Sequence, residues 1–189
     1  SAGAIFNDWG TLTVSNCAFN SNTANSARAG AIENYGHDMT ITNCTFTGNT
    51  ANNGGAIYYP NTSGTPSATA NNVFTDCVFS ENSALSGTSD GGAIVCDANT
   101  TMTRCIFEGN TANRRGGAIA FYGDGGFSHV FTNCLFTGNT ALEGAAIALN
   151  GLKSGSGGMT AVNCTFADNT LLSGGLGGAI FMRRTGLAT

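Results

Sequence analysis

Charge is scarce in this chain: Asp, Glu, Lys and Arg together make up 10% of its 189 residues, against roughly 25% in an ordinary soluble domain. That excludes a charge-solvated disordered segment. With a net charge of −4 and seven Lys and Arg, it also excludes the basic footprint of a nucleic-acid binder. Arg114-Arg115 and Arg183-Arg184 are the nearest approach to a basic patch, and both are too short to hold a phosphate backbone. Proline is nearly missing, with two residues. No apolar run reaches the ~18 residues of a membrane helix, so no membrane insertion is expected of this segment. No secretory leader is visible, and the chain reads as a mature product or an excised piece. The 3.6-residue apolar period of helical repeats is missing, as is the Leu and Asn frame of leucine-rich repeats. Gly123-Asp124-Gly125-Gly126 is an isolated loop, not a serial calcium-binding nonapeptide.

What is present is repetition. There are 28 glycines, and Thr, Asn, Val, Ile and Phe recur, a strand-and-turn composition. The phrase Gly-Gly-Ala-Ile ends at Ile57, Ile94, Ile119 and Ile180, with looser copies at Ile5, Ile32 and Ile147. Between copies stands a second phrase, Asn-Cys-x-Phe-x-x-Asn-Thr-Ala, clearest at Asn43 to Ala51 and Asn133 to Ala141. Successive Cys of that phrase lie 27, 33, 28, 29 and 30 residues apart. Short apolar runs cut by Gly and Asn, three per period, describe an all-β chain. The fold expected is a parallel β-helix, right-handed by the crossover rule, with three short strands per coil stacked about 4.8 Å apart. About seven coils begin near residues 3, 30, 54, 91, 116, 144 and 177 and form one open-ended domain over 1–189. Insertions fall at Pro60–Asn72, Ser86–Asp90, Gly123–Ser128, Gly151–Gly158 and Leu171–Leu176, as is usual on solenoid surfaces.

The repeat aligns residues in columns. Cys17, Cys44, Cys77, Cys105, Cys134 and Cys164 share a strand side with Phe19, Phe46, Phe79, Phe107, Phe136 and Phe166, by the two-residue side-chain period. That side is read as the interior, together with Val14, Ile41, Phe74, Met102, Phe131 and Ala161. Asn22, Asn49, Asn82, Asn110, Asn139 and Asn169 read as a ladder of side-chain amides bonded along the axis, since buried amides need partners and Asn tolerates a left-handed turn. The chain is expected to bend at the residue before each Cys. In-register thiols sit farther apart than a disulfide wants, so the cysteines read as a reduced stack. Cys96 reads as core beside Phe121 and Leu149. A metal-threaded column lacks His partners, and no cofactor is expected.

These phrases resemble the Gly-Gly-Ala-Ile and Phe-x-x-Asn repeats of the chlamydial polymorphic outer-membrane protein family, which also occur in other bacterial surface proteins. The resemblance spans roughly residues 2 to 182. It implies a right-handed β-helix passenger, exported by an autotransporter route and used in adhesion to host cells. The family's C-terminal membrane barrel and N-terminal cap have no counterpart in this sequence.

Carbohydrate lyases and hydrolases share such a fold, and they need clustered acids. Here the eleven acids are scattered. Asp8 and Asp97 share a column three coils apart, roughly 14 Å at one strand spacing per coil, beyond the roughly 5–10 Å of glycosidase pairs. Asp97 and Asp124 on adjacent coils are the best remaining pair. His37 and His129 occupy different coils without a third zinc ligand and read as solvated loop residues. Two columns read as outward and apolar: one beside the Ile, with Phe6, Tyr58, Val95 and Phe181, and one between Cys and Phe, with Val78, Ile106 and Leu135. Such a strip marks a contact surface. The function expected is therefore non-enzymatic: an extracellular or cell-surface structural and adhesive β-helix. Its partners would be a second copy, laterally or head-to-tail in a non-closing filament, or a host or cell-surface protein or glycan. A polysaccharide lyase or hydrolase is the alternative.

Overall fold

The computed structural model describes residues 2–60, 70–122, 126–152 and 157–184. The described residues contain strands and turns and no helix. Every strand pairs in parallel with its counterpart one turn away, giving a solenoid of about six turns. An isoleucine sheet of seven strands runs from Ile5–Asn7 through Ile94–Cys96 and Ile119–Tyr122 to Ile180–Arg184. A threonine sheet of six runs from Leu12–Ser15 through Asn99–Thr103 to Gly158–Val162, and a phenylalanine sheet of six from Ala18–Asn20 through Ile106–Glu108 to Thr165–Ala167. A fourth, shorter ladder of five strands, from Thr50–Ala51 to Thr170–Leu176, follows the Asn column. Its Ala84, Ala112 and Ala141 pack in a small cluster of their own.

The corners follow from left-handed residues at fixed places in the coil, one of them the first glycine of the pair at Gly54, Gly91, Gly116, Gly144 and Gly177. Asn16, Asn43, Asp76, Arg104, Asn133 and Asn163, each just before a Cys, have φ between 51° and 55°. Another left-handed position is the residue before the ladder Asn: Ser21, Gly48, Glu81, Gly109, Gly138 and Asp168. The ladder Asn does not itself take the left-handed turn expected of it. Its side chain needs the adjoining backbone placed for hydrogen bonding, and its neighbour makes the bend.

Inside, the register is the packing. Phe19, Phe46, Phe79, Phe107, Phe136 and Phe166 stack with ring centroids 4.7–4.9 Å apart and planes within 3–5° of parallel. That spacing is the strand spacing itself. The ladder amides are saturated. Asn110 Nδ2 donates to Asn139 Oδ1 (2.9 Å) and to the Phe79 carbonyl (2.9 Å), while its Oδ1 accepts from the Asn82 backbone (3.0 Å) and Asn82 Nδ2 (3.0 Å). The pattern continues from Asn22 to Asn169. Rows fray at the outermost strands: Ala161 on Gly158–Val162 is exposed, because among the described residues no further strand of that sheet stacks beyond it.

The second glycine of the pairs ending at Gly55, Gly92 and Gly117 is required by close approach. A Cβ on Gly92 would lie 2.0 Å from the Gly117 carbonyl oxygen and 2.6 Å from the Thr111 nitrogen. Ala145 takes this position in one coil. The next strand, Thr170–Leu176, carries inserted residues, and its register shifts from Ala141↔Leu171 to Glu143↔Leu176. Outward, the threonine sheet shows two columns in unbroken register: Thr13, Thr40, Val73, Thr101, Val130, Thr160, and Ser15, Thr42, Thr75, Thr103, Thr132, Val162.

Phe107→Ala is expected to destabilise the chain by about 3–5 kcal/mol, as buried aromatic truncations do, measured by urea unfolding; a loss under about 1 kcal/mol would place the ring outside the core. Asn110→Ala orphans the Asn82 backbone N–H and takes one hydrogen bond each from Asn82 Nδ2, Asn139 Oδ1 and the Phe79 carbonyl; Asn139 Oδ1 keeps the residue-110 backbone N–H and Asn82 Nδ2 the Phe46 carbonyl. Because a buried orphan costs about 1–3 kcal/mol and a lost hydrogen bond about 1 kcal/mol, the same measurement should show roughly 3 kcal/mol lost.

Candidate functional site

The outer row of the isoleucine sheet, an expected apolar strip, is divided by the fold. Phe6 is 51% exposed, and Tyr58 and Phe181 are half-buried. Val95 is 1% exposed, and Glu33, Ala120 and Ala148 are buried with it, so Val95 is not available as a contact residue. Over Val95 the row is closed by the first glycine of its pair. Gly91, at φ 63°, folds back over the strand, so that a Cβ on it would lie 2.7 Å from Val95 Cγ2. In the phenylalanine sheet Val78, Ile106 and Leu135 are half-buried, and Thr45 and Thr165 in the same row are exposed.

Where the row is open it is aromatic. Arg28 lies over the Tyr58 ring, 5.4 Å from its centroid, and donates to the Tyr35 hydroxyl at 3.0 Å. Burial and then the nearby Glu33 carboxylate hold the Tyr35 phenol above its usual range. The Tyr35 ring meets Phe6 at 5.7 Å. Three residues on from Phe6, Trp9 is 70% exposed, edge-on to exposed His37 at 6.1 Å. Asn7 pins the turn that presents it, donating to the Gly10 carbonyl (3.0 Å) and Asn34 Oδ1 (2.6 Å). Phe6, Tyr35, Tyr58 and Arg28 thus form one cluster, and Trp9 with His37 forms a second aromatic contact on the same two coils. The repeat pattern pointed to Phe6 and Tyr58. Trp9 and Tyr35 belong to no column, and the signal for Trp9 was its being the one Trp of the chain.

Several of the other ionisable groups are paired with one another. Arg104 grips Asp76 (2.6 and 2.8 Å) and holds its carboxyl below the usual range. Buried Asp90 accepts from Arg114 and from the Tyr122 hydroxyl, and Arg115 pairs with Glu143 at 2.7 Å. Arg114 and Arg115, the one basic pair in the middle of the chain, are therefore both spent on carboxylates. Asp97 is half-buried and accepts from the Tyr122 backbone at 3.2 Å. Asp8 is exposed, and Asp124 lies outside the described residues. A cavity of about 270 Å³ beside the fourth ladder, lined by residues such as Thr23, Ser26, Asn52 and Leu85, has no ionisable side chain in its wall.

Across residues 1–187 the chain matches the family described as the right handed beta helix region. It is a right-handed β-helix protein. Neither the curated proteins nor the solved structures compared with it match. No helix among the described residues is long and apolar enough to cross a membrane.

Within this β-helix the thiols line a corner between two sheets. All seven are free. Those of the column donate to the carbonyl two residues back, as Cys44 does to Thr42 at 3.2 Å and Cys134 to Thr132 at 3.5 Å. Cys17, on the outermost strand, is exposed. Buried Cys96 accepts from Asn72 Nδ2 at 3.2 Å and contacts Thr100 at 3.4 Å; burial pushes its thiol up to about 11. Among the described residues no three His, Cys, Asp or Glu converge as metal ligands.

His129 is not the solvated loop residue expected. It is 1% exposed, stacked on Phe121 at 3.7 Å. The insertion before it hides that Ser128–Thr132 is a strand, in which His129 and Phe131 both point inward. Burial lowers its pKa to about 3 from 6.5. The unfolded chain then binds a proton that the folded chain refuses between those values, so stability falls as pH drops through that window. Urea midpoints at pH 7 and pH 4 should diverge in the native chain and converge in His129→Met.

Proposed function

We propose that this β-helix is a non-enzymatic structural and adhesive module of an extracellular or bacterial cell-surface protein. It meets a host or cell-surface protein, or a glycan, through Phe6, Tyr35, Tyr58 and Arg28 together with Trp9. The observation that carries this reading is an exposed phenyl ring and an exposed indole three residues apart on one coil, on a chain whose repeated residues are otherwise consumed by its own ladders. Aromatic rings and arginine are the residue types that anchor contacts. The likeness of the repeats to those of the chlamydial polymorphic outer-membrane proteins supports the surface location. Self-association into a filament is the assembled form of the same reading, with the half-buried row Val78, Ile106 and Leu135 as a lateral surface.

Binding of the purified chain to a glycan array and to cultured epithelial cells tests the proposal. The double change Phe6→Ala/Trp9→Ala should lower binding at least tenfold, while Glu108→Ala leaves it unchanged. The right-handed β-helix family also includes lyases and hydrolases. Release of reducing ends or unsaturated sugars from a polysaccharide panel, lost in Asp97→Ala and Asp124→Ala, would replace adhesion by catalysis. Negative-stain images showing only short separate rods at high concentration would remove the filament.

A further inference from the structure

The outer face of the threonine sheet is engaged neither by the core nor by the aromatic cluster. Its two central columns hold Thr, Ser and Val and no charged residue; at its margin Asn71, Asn99 and Ser128 continue the outward side, and exposed Asp38 accepts from the Asn71 backbone. Complete pairs stand at Thr40 with Thr42 and at Thr101 with Thr103; in each other strand Ser or Val replaces one member. Within the described residues no hydrogen bond engages the hydroxyls of these four threonines. At the edge of the sheet, Asp76 and Arg104 neutralise one another.

The face is also regular. Its six strands pair in parallel with unbroken register, so each outward residue lies over its counterpart on the next coil. The result is a repeating net of hydroxyl and methyl groups. Its repeat is about 4.8 Å along the axis and about 6.6–6.8 Å, two residues, across it. Water oxygens on the prism face of hexagonal ice repeat at comparable intervals along two perpendicular directions. A protein partner would be held by aromatic or arginine anchors, and a sugar by a ring to stack on; neither column has one. An uncharged two-dimensional repeat whose hydroxyls have no internal partner is complementary to another neutral repeating hydrogen-bonding surface. We infer that this face binds crystalline water: the threonine hydroxyls join the lattice, and the Thr and Val methyl groups seat in its troughs.

This inference does not rest on the adhesive reading, since its surface and its probe both differ. The test is uptake of fluorescently labelled chain into a growing ice hemisphere, with ice-crystal shape recorded alongside. The wild type is compared with Thr42→Lys/Thr103→Lys and with Thr45→Lys/Thr165→Lys on the phenylalanine sheet, each checked for native far-UV circular dichroism. Support requires wild-type and phenylalanine-sheet variants to enter the ice and facet crystals, with at least tenfold less uptake of the threonine-sheet variant. Exclusion of the wild type as complete as that of an inert tracer overturns the inference, as does equal uptake of both variants. Loss of self-association or of polysaccharide binding in the threonine-sheet variant, with ice uptake unchanged, overturns it in favour of those occupants.

Discussion

The constraint on which the molecule depends is that each coil must place like atoms over like atoms at the spacing of a hydrogen-bonded strand pair. Backbone ladders, phenyl rings and amide side chains all accept that distance, so one register serves three kinds of contact. The phenyl stack alone would tolerate sliding, because aromatic contact is broad in geometry. The amide ladder would not. Each Asn Oδ1 accepts two N–H groups of the neighbouring coil's Asn, and each Nδ2 donates once to either side. A slip of one residue would strand every member in the buried corner. The ladder is the register lock, and the rings fill the space it defines.

The glycine pairs show the same constraint from the side of exclusion. At Gly92 the second glycine lets two coils approach where a Cβ would strike a carbonyl. At Gly91 the first bends back over the outer row and covers Val95. That second role separates the expected contact strip from the observed one: Val95 faces outward from its strand, yet lies beneath the turn at Gly91.

The architecture was legible because repetition converts sequence into columns. Phe107, Asn110 and Ile119 can be assigned inward-facing places without any coordinate, since six or seven coils present the same residue at the same phase. Residues outside the repeat were not legible. His129 follows an insertion that disguised its strand phase. Trp9 and Tyr35 stand in single turns, and Arg28 reaches Tyr35 from a corner. The left-handed residue is the one before each ladder Asn, where Ser, Gly, Glu and Asp alternate and no single type signals the turn. For the candidate site the same logic holds: Phe6 and Tyr58 sat in a column, while the residues that make them a cluster did not.

The hydrogen bonds between coils run along the solenoid axis. Tension applied along that axis by a tethered surface would load one coil boundary at a time, since each coil contacts only its neighbours. A coil of 27 to 33 residues, once detached, can pay out roughly 90–120 Å of extended chain. The molecule would lengthen in discrete steps and dissipate work at each one, leaving the remaining coils intact, as a sacrificial tether does under shear.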